Sequence, residues 1–178
     1  MNSVYRDEKH AAIRAIGVDG ISTCARASWQ GQYQSGFMDG MIARSETLAL
    51  SIPDRLSQDS MTRALMHRVL SEPEWLALVA MYSRDDRERK AAVLRLDTLV
   101  GTNAGPVFKR WCVTIWALPH LRREARQLND WDGNGTPDRT LRDWRKKIHQ
   151  QLDGWCASAF VHLERVLDDA GLTTAQKN

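Results

Sequence analysis

Apolar residues recur along this chain at steps of three and four, and strict alternation is rare. That spacing repeats one face of a 3.6-residue helix, so the expected fold class is all-α, a compact multi-helix domain. A first helix is predicted over Arg6–Ile16, a second over Phe37–Leu48 and a third over Ser60–Leu70, with Met61, Leu65 and Val69 on one face. Between the first two, residues 17–36 are rich in Gly, Ser and Gln and read as an ordered loop carrying Trp29 and Tyr33.

Start and stop signals sharpen the middle of the chain. Ser71-Glu72-Pro73-Glu74 places a capping serine, a first-turn proline and a glutamate at capping-box spacing. The helix it opens carries Trp75, Leu76, Val79 and Tyr82. Ser83 and Asp86 repeat the signal, and Gly101 is expected to close the next helix as a left-handed cap. Pro106 opens another, holding Phe108, Trp111, Cys112, Ile115 and Trp116, and Pro119 starts a short one through Leu128. Beyond the turn 129–136 runs the longest stripe: Leu141, Trp144, Ile148, Leu152, Trp155, Ala159, Leu163 and Val166. It predicts one helix of about 30 residues, or two joined near Gly154, ending at Gly171. The expected organisation is an N-terminal helical segment over 1–58 packed on the rest, a helical domain over 59–171, and a frayed tail over 172–178.

Composition narrows the class. With 178 residues, 43% hydrophobic and 26% charged, the chain can bury a core without staples. No apolar run approaches the roughly 20 residues of a membrane span, and the polar N-terminus is unlike a secretory signal. Cys24, Cys112 and Cys156 are odd in number and contain no Cys-x-x-Cys pair, which points to buried thiols in a reducing cytoplasm. The five histidines do not complete a zinc set, so neither a metal nor a cofactor is expected.

Charge is uneven. The net value is +3, yet residues 101–150 hold ten basic against five acidic groups, and residues 151–178 hold two against four. The remaining windows balance, so the whole positive excess lies in one stretch. There the chain reads Pro119-His120-Leu121-Arg122-Arg123-Glu124-Ala125-Arg126-Gln127-Leu128, a turn, then Thr136-Pro137-Asp138-Arg139-Thr140-Leu141-Arg142-Asp143-Trp144-Arg145-Lys146-Lys147-Ile148-His149. Small Ala125 lets a second helix cross closely. That helix has Thr136 as a cap, a proline at its first position and an acid in its first turn. Its inner face is Leu141, Trp144 and Ile148. Its outer face is expected to present Arg139, Arg142, Arg145, Lys146 and His149, with Thr140 and Asp143 leading. Such a helix suits the second position of a helix-turn-helix over 119–150, apolar inward and hydrogen-bonding outward into a major groove. Arginine pairs bidentately with guanine edges, Lys146 and Lys147 can hold phosphates, and Arg122, Arg123 and Arg126 would lie near the backbone. A solvated basic face is the plainer account of the same residues.

Other chemistry is sparse. Asp130, Asp132, Asn134 and Gly135 match the opening of an EF-hand loop, but Leu141 stands where its closing bidentate acid belongs. A Gly/Asn/Asp turn explains the same residues. No nucleophile elbow, phosphate loop or metalloprotease motif occurs, and the Asp85, Asp86, Glu88 cluster is interleaved with Arg84, Arg87, Arg89 and Lys90. Enzymatic activity is not expected. The tryptophans at helical spacing read as core; Trp29 and Trp131, in loops, are the two expected to face a partner.

The block Arg122–Leu128, then Thr140–Ile148, then Leu152-Asp153-Gly154-Trp155 resembles phage Q-type late-gene transcription antiterminators. The stretch Ser71–Leu96, with Leu76-Ala77-Leu78-Val79-Ala80-Met81-Tyr82 leading into a charged helix, is similar to the sigma-region-4-like helices of some of them. The resemblance spans roughly residues 60–167 and lacks the zinc motif of the lambda-type branch. It implies sequence-specific binding of double-stranded DNA, loading onto RNA polymerase and read-through of terminators. The protein itself is expected in the bacterial host cytoplasm as a monomer or homodimer. The Asp-rich turn is longer than that of a compact helix-turn-helix. A different class competes: a small-terminase-like phage assembly subunit, in which the Leu141–Val166 stripe would be an intersubunit seam.

Overall fold

In the computed structural model, residues 4–24, 52–118 and 128–173 are described. They form α1 (Glu8–Cys24), α2 (Ile52–Val69), α3 (Glu72–Tyr82), α4 (Asp86–Leu99), α5 (Pro106–Ala117), a 3-10 turn (Leu128–Trp131) and α6 (Asp138–Asp169). The architecture is all-α: among the described residues the only β pairing is an isolated bridge between Tyr5 and Thr173. None of these helices is long and apolar enough to cross a membrane. The expected second helix, Phe37–Leu48, lies outside the described residues, as does Trp29.

The spine of the fold is α6, 32 residues without a break at Gly154. Its buried line is Leu141, Ile148, Leu152, Cys156, Ala159, Leu163 and Leu167. The line passes through Cys156 and Leu167 and leaves Trp155 and Val166 at its margin. Helices α1, α3 and α5 pack on this spine, α4 lies on α3 and α5, and α2 lies on α1. Ala11, Ala12, Ala15 and Ile16 of α1 join the same core as Leu78, Leu96, Phe108 and Leu163. The stripe is therefore core of this chain, and no exposed seam runs along it. The boundary expected at residues 58 and 59 falls inside α2.

Several ends differ from expectation for reasons of packing. Helix α1 continues past Ile16 through Gly17, where a Cβ would stand 3.5 Å from Nε of Arg84. Burial of Gly17 and Val18 holds the helix where local propensity would let it end. Helix α2 begins at Ile52, eight residues before the expected Ser60, with Pro53 in the first turn, where its missing N–H costs nothing. A buried polar knot secures it: Asp59 accepts from the Tyr5 hydroxyl at 2.7 Å and from Arg14 at 2.9 Å.

The Ser71 start is as expected, with Glu74 accepting from the Ser71 amide at 2.9 Å and its hydroxyl at 2.8 Å. The same carboxylate also accepts from Ser158 at 2.5 Å and meets His162 Nδ1 at 3.0 Å, tying the start of α3 to α6. Helix α4 is capped by Asp85, which accepts from the Arg87 amide at 2.8 Å, while Ser83 closes α3 and donates to Glu88. Gly101 does not serve as a left-handed cap. Val100 leaves the helix in extended conformation, because its side chain is buried in the core. Gly171, at φ 66°, does end α6 in the left-handed region.

Candidate nucleic-acid interface

The positively charged stretch is held by aromatic packing. Trp131, expected to face a partner, is instead 4% exposed. Its indole stacks on Trp111 and lies near Phe108, which in turn meets Trp144 edge-on. A ring of this size buries a large apolar area once α5 offers it a wall, and its loop position in the sequence does not reveal that wall.

From Trp131 the chain turns through residues 132–137. Asp132 Oδ2 accepts from the Thr136 amide at 2.7 Å. That bond, joined by ones from the Thr136 hydroxyl and the Asn134 amide, holds the Asp132 carboxyl below its ordinary pKa. Gly135, at φ 68°, supplies the left-handed residue of the turn. Among the described residues no cluster of His, Cys, Asp and Glu could hold a metal ion. The Asp-rich loop acts here as an Asx-type turn into α6. Thr136, nominated both as cap and as DNA contact, is committed to Asp132. The first helical amides, those of Thr140 and Leu141, bond the Pro137 carbonyl, so the helix opens at Asp138.

Along the leading half of α6, Arg139, Arg142, Asp143, Lys146 and Lys147 are all exposed. At 100° per residue these five occupy a sector of about 140° opposite the Leu141–Ile148 line. Arg142 is paired with Asp138 one turn earlier, and no ion pair ties Arg139, Lys146 or Lys147 to any described residue. Thr140 sits at the flank, partly buried.

Two nominated residues turn inward. Arg145 is partly buried near the α5 side, close enough to Cys112 for its charge to be felt there. His149 is partly buried against α5; burial lowers its pKa, and its hydrogen bond to the Cys112 carbonyl only partly opposes that. Nε2 of His149 is buried and has no partner. The reason is angular: both residues lie within about 80° of the buried line of α6, and α5 closes over that side. Arg122, Arg123 and Arg126, with the first helix of the expected helix-turn-helix, lie outside the described residues. The thiols of Cys112 and Cys156 are buried and each is pushed up to about 12, as inert structural cysteines are.

The order of charge along α6 is informative. Residues 138–150 carry five cations against two acids, and residues 151–169 carry four acids against one cation. Helix dipoles favour acids at the N-terminus and cations at the C-terminus. Here Asp138 offsets Arg139 in the first turn, while Asp168 and Asp169 in the last turn oppose the dipole at that end. Comparison with protein-family models, with curated proteins and with solved structures gives no match for this chain.

Proposed function

We propose that the protein binds double-stranded DNA through the outward face of the leading half of α6 and acts as a transcription regulator. The observation that carries this reading is the set Arg139, Lys146 and Lys147, exposed and unpaired among the described residues, on one face of a helix whose other face is locked into the core. Arg142 adds a fourth cation once its bond to Asp138 is exchanged for a phosphate. A helix fixed in this way needs no further backbone ordering, so the entropy lost on binding is limited to that of the side chains. Because carboxylates already surround its N-terminus, contacts to phosphates would come from side chains and not from backbone amides.

The finer reading is an antiterminator of the phage Q type that loads onto RNA polymerase. It rests on the resemblance of the 122–128, 140–148 and 152–155 blocks, and no residue of α6 is assigned to polymerase. The test is fluorescence anisotropy of labelled duplex DNA over a salt series, with wild type and an Arg139→Ala/Lys146→Ala/Lys147→Ala variant. Loss of three phosphate contacts is expected to reduce the slope of log K against log salt by about 2.7. No binding by wild type, or the same slope in the variant, overturns the reading. With binding established, capture of purified RNA polymerase on the duplex by wild type separates an antiterminator from a DNA-binding protein of another kind.

A further inference from the structure

A second surface lies between α4 and α5, and its chemistry differs from that of α6. A groove of about 340 Å³ runs there, with Val93, Leu94 and Leu118 as its apolar lining. Leu94 is 49% exposed, so the groove holds a large aliphatic side chain that the fold leaves half in water. Lys90 and Arg110 stand at the rim; Arg89 also lines it, bound to Asp86. The Arg110 side chain is 57% exposed and reaches the buried Asp97 only at 3.4 Å. Lys90 is exposed and has no ion pair with any described residue. Asp86, Lys90 and Leu94 follow one another at steps of four, as do Arg110 and Thr114 on α5 and Leu118 just past its end. The bond from Arg110 to Asp97 ties the two helices together, and the lining residues of α4 from Asp86 to Leu94 span about two helical turns.

We propose that this trough docks an acidic amphipathic helix of a partner protein, with its apolar residues against Leu94 and Leu118 and its carboxylates toward Lys90 and Arg110. A volume near the lower end of the ligand-pocket range suits a few anchoring side chains. Apolar anchors at helical spacing are the usual content of such a groove. The rim selects the sign: Arg89 is held by Asp86 and Arg110 reaches Asp97 at 3.4 Å, which leaves the exposed Lys90 as the unpaired charge among the described residues. Duplex DNA fits less well, because it offers no apolar side chain to Leu94. The inference does not depend on DNA binding by α6.

The test uses the full chain and a fluorescein-labelled helical peptide of about 15 residues, with leucines on one face and glutamates flanking them. A control peptide carries lysine in place of every glutamate. Saturable binding of the acidic peptide and none of the basic one is expected. Lys90→Glu and Leu94→Gln should each weaken it by about tenfold. Both side chains are exposed, so circular dichroism should be unchanged in the two variants. Absence of binding, equal binding of the basic peptide, or indifference to both substitutions overturns the proposal. So does displacement of the acidic peptide by short duplex DNA with the same sensitivity to Lys90→Glu, which would make the trough part of a polyanion surface. Loss of a dimer in Leu94→Gln, seen by light scattering, would assign the trough to a second copy and overturn it equally. The Arg139/Lys146/Lys147 variant is expected to bind the acidic peptide normally, which keeps this result separate from the test of DNA binding.

Discussion

The indole of Trp131 lies over that of Trp111 with ring centroids 5.9 Å apart and planes 12° from parallel. The stack joins α5 to the turn that leads into α6, and so fixes where the charged face begins. Trp131 is almost wholly buried, whereas Trp111 keeps 37% of its surface in water. Replacement of Trp131 by Ala is expected to destabilise the protein by about 3–5 kcal/mol. Trp111→Ala should cost clearly less, because less area is returned to solvent. Urea melts of the two variants make the comparison; equal losses would show that the contact between the rings outweighs burial.

Asp138 holds Arg142 through an i,i+4 ion pair at the mouth of the proposed interface. Asp138→Asn removes an acid and frees a cation on the DNA-facing side. Duplex affinity at low salt is expected to rise about fivefold. The cost to the helix is a few tenths of a kcal/mol, roughly what one exposed first-turn acid contributes. Anisotropy titrations check it, and an unchanged affinity would remove Arg142 from the interface.

Burial of His149 against α5 makes folding sensitive to pH. Its pKa is lower in the folded chain than its ordinary 6.5, so the unfolded chain takes up the proton first. The contribution of neutral His149 is thus complete above about pH 6.5 and declines as pH falls from there toward the folded pKa. The drop in melting temperature between neutral pH and about pH 5.5 is expected to be smaller in His149→Gln than in wild type. Parallel profiles for the two proteins would show that His149 does not contribute to acid sensitivity.

Two glycines near each other in sequence should respond in opposite directions. Gly154 lies exposed in the middle of α6, and an added Cβ would meet nothing within 4 Å. Gly154→Ala is expected to stabilise the fold by about 0.5–1 kcal/mol through helix propensity. Gly171 ends the same helix at φ 66°, where an L side chain is strained. Gly171→Ala should cost about 1 kcal/mol. Thermal melts of both variants test this, and a gain at Gly171 would mean that the chain reverses there without the left-handed residue.

By itself the sequence determined the helical class, the Ser71–Glu74 start of α3, the proline start of α5, and the apolar stripe of α6 with its end at Gly171; whether that stripe was one helix or two joined near Gly154 it left open. These are local properties: a 3.6-residue apolar period, a serine with its glutamate three residues on, a proline without an amide to satisfy, a glycine free to adopt positive φ. The segregation of cations into residues 101–150 was equally legible, since it needs only counting. Tertiary structure decided whatever depends on a neighbour distant in sequence. Trp131 is core because α5 supplies Trp111, and α1 runs on through Gly17 because Gly17 and Val18 are buried. Leu94 and Leu118 share one trough because α4 and α5 pack against each other. Arg145 and His149 look outward in a list of basic residues, yet α5 covers their side of α6. Periodicity assigns each residue an angle on its helix, and only packing decides which angles face water.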